Sequence, residues 1–389
     1  MLTQAGDPGA FAGFDLLRVP SPCFVVDEVR LDANLAVLAD VAERSGASMF
    51  AALKAFAMWS LAPNVARALS GTCASGLHEA RLGRSEYGGT LVSYAAAFRP
   101  SEMAEILDLS DHVVFNTPSQ HDRHRADVAA ARDRGRRVSV GLRINPEHSE
   151  GEVARYDPAA PGSRLGTPVS TLRADHLDGV DGLHMHTLCE HGFEPLERTW
   201  LAVRESLSPH SEGLHWLNFG GGHHITRSDY DRDALVEFVR AVRAETGCDV
   251  HFEPGEAVAL DAGILVGEVL DVMENDGLNA IVDISATCHM PDVLEAPYRP
   301  ALLGEGGATM VRLGGPSCLA GDVIGTYAYQ GVPAPGQRLA FLDQAHYSMV
   351  KTTTFNGIGL PAIAVWNSDT DDLRIVREFD DTDYRRRLS

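Results

Sequence analysis

Eight short apolar segments alternate with amphipathic helical segments between about residues 30 and 255, and this alternation constrains the fold more than any other feature of the chain. Helical stretches between them often begin with a Ser or Asp cap and end with Gly. Because strands that alternate with helices form parallel βα units, eight such units predict a closed (β/α)8 barrel of the TIM type. The segments read SMFAALK (48–54), GTCAS (71–75), TLVSYA (90–95), HVVFN (112–116), VSVGLRI (138–144), GLHMHT (182–187), HWLNFGG (215–221) and DVHFEPG (249–255).

Beyond about residue 262 the pattern changes to β-rich runs separated by Gly and Pro turns, with little helical periodicity. We therefore predict a barrel over residues 30–261 and a second, all-β domain over residues 262–389. The early run CFVVDEV (23–29) precedes the first barrel helix, so residues 1–29 are assigned to the β domain. The tail DDTDYRRRLS (380–389) is expected to be frayed.

Charge and cysteine content limit the classes of function. A net charge of -21 opposes nucleic acid and anionic membranes as partners and suits a cationic ligand, although acidity also serves solubility. No apolar run approaches the roughly 18 residues of a membrane span, and we expect no signal peptide at the N-terminus. The six cysteines lack CxxC spacing, which predicts reduced thiols and a cytoplasmic protein.

Lysine is almost absent from the chain. Of the 33 Lys and Arg residues only Lys54 and Lys351 are lysines, and Lys54 stands in the apolar run ASMFAALKAFAM (47–58). Burial lowers the pKa of a lysine and frees its amine as a nucleophile for a carbonyl group. The simpler alternative for Lys54 is an ion pair with a barrel carboxylate, and Lys351 is expected to be structural.

Unusual polar residues and glycines fall at the predicted carboxyl ends of the strands, where active sites of such barrels form. Consecutive glycines before a helix expose N–H groups that suit a phosphate, although a tight turn is the simpler interpretation. Glu253 suits a protonated ring nitrogen or a rim ion pair. Of the two histidines in HMH, one fits a core histidine and the other could lie flat on an aromatic ring. The set comprises Lys54, Arg143, His184, His186, Gly220, Gly221, Gly222 and Glu253.

Two loops of the predicted β domain carry further candidates. The loop GGPSCLAGDVIG (314–325) contains Cys318 and Asp322, and the segment DQAHYSMVKTTTFNG (343–357) contains Tyr347. From the residues alone, a free cysteine such as Cys318 is more often a small buried apolar residue than a reactive thiol.

Strings along residues 21–365 resemble the carboxynorspermidine (carboxyspermidine) decarboxylase branch of the alanine racemase/ornithine decarboxylase type of pyridoxal 5'-phosphate (PLP) enzymes. The chain differs from ornithine-type members, which carry Arg where Glu256 stands and an acid where Leu319 stands; both differences suit this branch. The strings include ALKAFAMWS, EARLGRSEYGG, GLRINPEHSEGE, HTLCE, LNFGGGHHITRSDYD, EPGEAVALDAG, ATCHMPDVLEAPYRP, GGPSCLAGDVIG and MVKTTTFNGI.

The resemblance implies an alanine racemase-like fold, PLP as cofactor, and a homodimer with shared active sites. It implies release of CO2 from a carboxylated polyamine, a small cationic amino-acid substrate. Asp322, Glu190 and Glu256 are predicted to bind the distal ammonium groups, in line with the net charge. The resemblance implies that Lys54 holds PLP covalently, that His186 stacks on the PLP ring and that Glu253 pairs with the ring nitrogen. It implies phosphate binding by Gly221, Gly222 and Tyr347, and a bracing role near the cofactor for Arg143. Cys318 would deliver a proton after CO2 leaves, and Cys318 and Asp322 would come from the neighbouring subunit.

Four alternatives remain open at this point. The substrate could be another amino acid of the diaminopimelate or ornithine type. A racemase on the same fold ranks lower, because it needs a second base where Cys318 stands. A metal-dependent hydrolase could use the sixteen histidines, among them the HMH and HH strings. A PLP-binding protein without activity is the fourth.

Overall fold

The computed structural model describes residues 6–151, 154–208 and 213–389. The chain divides into two compact units, Met1–Ala33 with Ala259–Ser389, and Asn34–Val258. The second is called the barrel unit here and the first the sheet unit. The domain bounds proposed from the sequence, residues 30–261 and residues 1–29 with 262–389, stay predictions.

Strands are numbered in chain order within the described residues. They are β1 Cys23–Asp27, β2 Ser48–Ala52, β3 Gly71–Ala74, β4 Thr90–Tyr94, β5 His112–Phe115, β6 Ser139–Asn145, β7 Thr167–Pro168, β8 Gly182–His184, β9 Trp216–Asn218, β10 Asp249–Phe252, β11 Gly263–Glu274, β12 Leu278–Val282, β13 Thr309–Gly314, β14 Val323–Tyr329, β15 Arg338–Leu342, β16 Ala362–Trp366 and β17 Leu373–Arg377.

Helices are numbered in the same way. They are α1 Glu28–Ser45, α2 Ala62–Ala68, α3 Leu77–Leu82, α4 Pro100–Leu109, α5 Pro118–Asp133, α6 Glu194–Leu207, α7 Arg232–Thr246, α8 Glu256–Ala259, α9 Ala286–His289, α10 Asp292–Glu295, α11 Ser348–Lys351 and α12 Asp381–Leu388. No helix among the described residues combines the length and the apolar character of a bilayer span.

The barrel unit holds the closed parallel barrel that the sequence predicts. Its described strands pair in the order β2–β3–β4–β5–β6–β8–β9–β10, and β10 pairs with β2 to close the ring. The short strand β7 pairs in parallel with the last two residues of β6. The eight-stranded barrel is therefore confirmed, and its carboxyl ends define where a site can form.

Several barrel strands end earlier than predicted, because the chain leaves the hydrogen-bonded sheet at the carboxyl end of the barrel. Strand β2 ends at Ala52, two residues before Lys54, and β10 ends at Phe252, before the Pro254–Gly255 turn. Strand β8 ends at His184, so His186 lies beyond the strand and not within it. The predicted strand that includes both histidines is therefore too long.

Trp216 fills the interior of the barrel beside two glycines. It packs in a cluster with Phe50, Val92 and Val114, and its indole N–H donates to Ser139 Oγ at 2.9 Å.

The two glycines are Gly141 and Gly182. A β-carbon at Gly141 or Gly182 would lie 2.4 Å or 2.0 Å from the Trp216 ring. The barrel interior is thus a packed core in which glycine makes room for an indole ring.

The sheet unit is built around a mixed sheet. The sheet order is β14–β13–β12–β11–β1–β16–β17, and β15 also pairs with β11. Strand β1 pairs antiparallel with β11 and parallel with β16, so the early run CFVVDEV joins this sheet. The largest core cluster of the described residues here includes Phe24, Tyr327 and Phe341.

Short helices also belong to the sheet unit, which the sequence predicted as all-β. Helices α9, α10 and α11 have four residues each, and α12 has eight. The expectation of a frayed tail is wrong. Asp380 caps α12, and Asp383 returns a bond to the backbone of Asp380, which completes a capping box.

Asp261 is expected to weaken the fold as pH rises. Burial and the charge of Asp343 raise the pKa of Asp261 to about 6. A carboxyl whose folded pKa is raised contributes stability below its unfolded pKa near 3.8 and loses it as pH rises through about 6. After allowance for solvent screening, we expect Asp261→Asn to stabilise the protein by roughly 1 kcal/mol at pH 7.5 and by less at pH 5.

Urea unfolding of both proteins at the two pH values checks this expectation. Asn accepts the left-handed backbone of residue 261, where φ is 53°. Its side-chain oxygen can still accept the Asp7 N–H bond of 2.9 Å. An equal difference in unfolding free energy at pH 5 and pH 7.5 would contradict the assigned pKa.

Candidate active site

Lys54 lies in a turn that two neighbouring strands hold at the mouth of the barrel. The Ala52 N–H donates to the Pro254 carbonyl at 2.8 Å, and the Leu53 N–H donates to the Cys73 carbonyl at 3.1 Å. Leu53 and Ala55 are fully buried, whereas Lys54 is partly exposed. Its Nζ lies 3.4 Å from His186 Nε2. The apolar neighbours anchor the turn and leave the amine at the barrel mouth.

Glu253 follows β10 directly and is held as a carboxylate. It is 6% exposed. Asn218 Nδ2 donates to Glu253 Oε1 at 2.9 Å, and His184 Nε2 lies 3.3 Å from Oε2. Burial opposes ionisation, but His184, the Lys54 charge and the Asn218 bond hold the pKa of Glu253 at about 2. Because burial lowers the pKa of His184, we assign a neutral imidazole that donates Nε2–H to an ionised Glu253.

His186 is oriented by two backbone contacts. The Gly221 N–H donates to His186 Nδ1 at 2.9 Å, so the ring proton of the neutral imidazole sits on Nε2. The His186 carbonyl accepts from Arg143 Nη2 at 2.8 Å. Burial and the nearby charges of Lys54 and Arg143 hold the pKa of His186 well below its ordinary value. His186 is therefore a neutral, fixed ring beside the lysine amine.

Arg143 is a buried brace in β6. It is 4% exposed, and its guanidinium lies 4.6 Å from the centre of the Tyr94 ring. Tyr94 donates its hydroxyl hydrogen to Asn116 Oδ1 at 2.8 Å. Burial lowers the pKa of Arg143. The cation–π contact and the His186 bond together fix the backbone after β8.

The glycine turn after β9 packs too closely for side chains. Gly220 and Gly222 have φ values of 66° and 85°. A β-carbon at Gly221 would lie 2.5 Å from the Glu253 carbonyl oxygen, and one at Gly222 would lie 1.9 Å from the Leu188 carbonyl oxygen. The amide of Gly221 is already bonded to His186. Glycine is therefore required here by both backbone conformation and space.

Glu190 and Glu256, which share a predicted role, lie close together in the barrel unit. A carboxylate oxygen of each and a ring nitrogen of His224 all lie within 4.8 Å of one another. His224 Nε2 is 3.3 Å from Glu256 Oε2. Glu190 is exposed and has a left-handed backbone with φ of 58°.

Three predicted site residues lie in the sheet unit. Cys318 is exposed, and its N–H donates to Asn356 Oδ1 at 3.0 Å. Asp322 is 4% exposed and accepts from Ser285 Oγ at 2.8 Å, with two longer bonds of 3.3 Å from backbone N–H groups. Tyr347 precedes α11 with φ of 36°. The other ten lie in the barrel unit: Lys54, Arg143, His184, His186, Glu190, Gly220, Gly221, Gly222, Glu253 and Glu256.

A family model described as the pyridoxal-dependent decarboxylase, C-terminal sheet domain, matches residues 23–345. The chain belongs to this family. It is therefore an enzyme, a carboxy-lyase of the pyridoxal-dependent kind.

Several decarboxylases of known sequence or structure are similar to this decarboxylase along nearly its full length. A carboxyaminopropylagmatine decarboxylase from Synechocystis sp. is 38% identical over 379 residues, 96% of this chain and 96% of the relative. A carboxynorspermidine/carboxyspermidine decarboxylase from Campylobacter jejuni is 35% identical over 385 residues, 95% of this chain and 99% of the relative. The crystal structure of carboxynorspermidine decarboxylase from Campylobacter jejuni in complex with norspermidine covers 95% of this chain and 100% of its own, with a TM-score of 0.86 and 34% identity.

The residues at the barrel mouth fit the pyridoxal group that the family implies. A primary amine, a neutral imidazole and an ionised carboxylate lie within one set of contacts, at Lys54, His186 and Glu253. His184, His186 and Glu253 are also close enough to ligate a metal ion, but the decarboxylase family does not favour the hydrolase alternative.

Three residues of the decarboxylase site were missed in the sequence. Asn218 bonds both Glu253 and the Gly220 N–H, and its place at the end of β9 was a usable signal. Tyr94 likewise ends β4. His224 follows the glycine run, but nothing in the sequence alone pairs it with Glu256.

Proposed function

We propose that this decarboxylase acts on a carboxylated polyamine such as carboxynorspermidine or carboxyspermidine, with pyridoxal 5'-phosphate as cofactor, and releases CO2 and the polyamine. The observation that carries the proposal is the contact of Lys54 with His186 beside an ionised Glu253, in a chain with only two lysines. Full-length relatives that bear polyamine-acid decarboxylase names support the substrate class.

The residues would divide the work as follows. When bound, the pyridoxal group supplies the electron sink into which the bond to CO2 breaks. Lys54 offers the amine that can bond an aldehyde and afterwards hold a proton at Nζ. Glu253 offers a fixed negative charge for a ring nitrogen, and His186 offers a flat neutral face. Gly221, Gly222 and Tyr347 are the proposed phosphate contacts, braced by Arg143.

The remaining roles are also proposals. Cys318 would deliver a proton to the substrate carbon after CO2 leaves, and Glu190, Glu256 and Asp322 would bind substrate cations. The sequence resemblance further supports a homodimer with shared active sites, to which the neighbouring subunit contributes Cys318 and Asp322. A cytoplasmic location is supported by the free state of all six cysteines, each of which lies in the described part of the chain.

A substrate panel tests the proposal. The purified protein, reconstituted with PLP, is assayed for CO2 release from carboxynorspermidine, carboxyspermidine, carboxyaminopropylagmatine, diaminopimelate and ornithine. We expect kcat/KM for the best polyamine acid to exceed that for diaminopimelate and ornithine by at least about 100-fold, since buried polar groups strongly reject substrates that leave them unpaired. Preference for diaminopimelate would overturn the proposal, and α-proton exchange in heavy water without CO2 release would indicate a racemase.

A further inference from the structure

His224 is a buried histidine between two carboxylates at the barrel mouth. It is 5% exposed, and Nε2 lies 3.3 Å from Glu256 Oε2. Within the described ranges both ring nitrogens of His224 are buried without a hydrogen-bond partner, although Nε2 lies within ion-pair distance of Glu256. A buried ring nitrogen without a hydrogen-bond partner is costly, and a ring nitrogen of His224 lies within 4.8 Å of carboxylate oxygens of Glu190 and Glu256, so the cluster points to a ligand atom.

Backbone hydrogen bonds hold the loops that carry these side chains. The His191 N–H donates to the Gly222 carbonyl at 2.9 Å, and the His224 N–H donates to the His191 carbonyl at 3.0 Å. His191 Nε2 lies 2.8 Å from the Glu150 carbonyl oxygen. His191, a residue between Glu190 and the glycine turn, therefore serves to build the cluster.

The chemistry of the cluster selects a cation. The two carboxylates present only acceptors, and a neutral His224 presents one ring lone pair beside them. Ammonium and guanidinium groups have donors and no acceptors, so they match this set.

We infer that Glu190, His224 and Glu256 form a subsite for a positively charged nitrogen of the polyamine chain, with His224 as a specificity-determining residue. The inference rests on the proposed function and deepens it. A substrate such as diaminopimelate carries a second carboxylate at its distal end, which the two glutamates repel. The subsite therefore selects polyamine acids by attraction and excludes dicarboxylic substrates by repulsion.

The charge of His224 makes the subsite sensitive to pH. The charged or titratable groups that face it are Glu256 at the start of α8, Glu190 in the loop after β8, and Arg227, Asp229 and His223 in the segment after β9. Burial opposes protonation, but Glu256 outweighs it and raises the pKa of His224 above its ordinary value. As pH rises, His224 loses its proton, the subsite becomes more negative, and the subsite binds a polyamine more tightly.

Binding of norspermidine to the PLP-loaded enzyme tests the inference. Isothermal titration calorimetry in EDTA is performed with wild type, Glu190→Gln, Glu256→Gln, His224→Gln, and Glu197→Gln as control, because Glu197 is an exposed glutamate on α6. We expect Kd to rise about tenfold in each of the two subsite glutamate variants and to stay unchanged in the control. His224→Gln is expected to remove the tightening of norspermidine binding between pH 6 and pH 8. For carboxynorspermidine the loss should appear in KM more than in kcat.

The possible results distinguish failure of the cation subsite from failure of the proposed reaction. If Glu190→Gln, which changes an exposed side chain, and Glu256→Gln both bind norspermidine as the control does, the subsite inference is wrong. If the variants instead weaken PLP binding and reduce activity on every substrate equally, the cluster serves the cofactor, which also overturns the inference. If wild type binds norspermidine through these residues but decarboxylates no polyamine acid, the proposed reaction fails while the cation subsite stands. Circular dichroism of each variant identifies a failure to fold.

Discussion

Replacing Lys54 with alanine is expected to remove both the bound cofactor's visible absorption band and the decarboxylase activity. Lys54 offers the amine that lies 3.4 Å from His186 Nε2, and alanine can neither bond an aldehyde nor carry a proton there. Loss of proton transfer alone costs roughly 10²- to 10⁴-fold in rate, so we expect kcat to fall by at least that range. Absorption spectra of PLP-loaded protein and CO2 release measure the two effects.

The second lysine of the chain is the matched control. Lys351 Nζ lies 2.5 Å from both Asp292 and Glu295 in the sheet unit, as expected for a structural lysine. Lys351→Ala should keep the absorption band and most of the activity while it lowers stability. Borohydride reduction followed by Lys-specific proteolysis should place the pyridoxyl group on Lys54, where cleavage is then blocked. A Lys54→Ala protein that keeps band and activity would disprove the assignment.

Glu253→Gln is expected to lower kcat by about 10²- to 10³-fold with little change in fold. Glutamine keeps the volume and an oxygen that can accept from Asn218, but it removes the negative charge proposed to face the ring nitrogen. Loss of one fixed electrostatic partner typically has an effect of this size on kcat. Steady-state kinetics with carboxynorspermidine, with thermal unfolding recorded alongside, measures both quantities.

The pH dependence of kcat and a control substitution at Glu79 make the Glu253→Gln test specific. Because the pKa of Glu253 is about 2, the carboxylate stays ionised from pH 5 to pH 9 and should produce no break in the kcat profile there. Glu79 also lies within electrostatic reach of Lys54, and it accepts from the Ser75 N–H at 2.6 Å. Glu79→Gln should have a small effect. Equal activities of the two variants would count against the role proposed for Glu253.

The barrel could be predicted because its signal is local and repeated. Each strand is a short apolar run and most connections are amphipathic helices, so the alternation indicates parallel βα units. Lys54 could also be identified from the sequence, because the chain has only two lysines among its 33 Lys and Arg residues. The capped tail helix was missed although Asp380 and Asp383 are three residues apart, a spacing that permits a capping box.

Contacts between distant loops could not be predicted in the same way. The pairing of His224 with Glu256 depends on how two turns after different strands approach each other, and no local pattern encodes that distance. The place of His186 beyond β8 depends on a bond from Gly221, 35 residues later. Strand ends are set by such tertiary bonds, and for this reason the predicted strands extend too far.

The packing of Trp216 has a consequence for how this barrel can vary over evolution. Gly141, Gly182 and Trp216 stand side by side in one row across β6, β8 and β9. Since the indole occupies the volume of two missing side chains, a larger residue at either glycine is tolerated only after a smaller one replaces the tryptophan. The three positions should therefore change together in descendants of this sequence, and a substitution that is harmful in this background can be neutral in another.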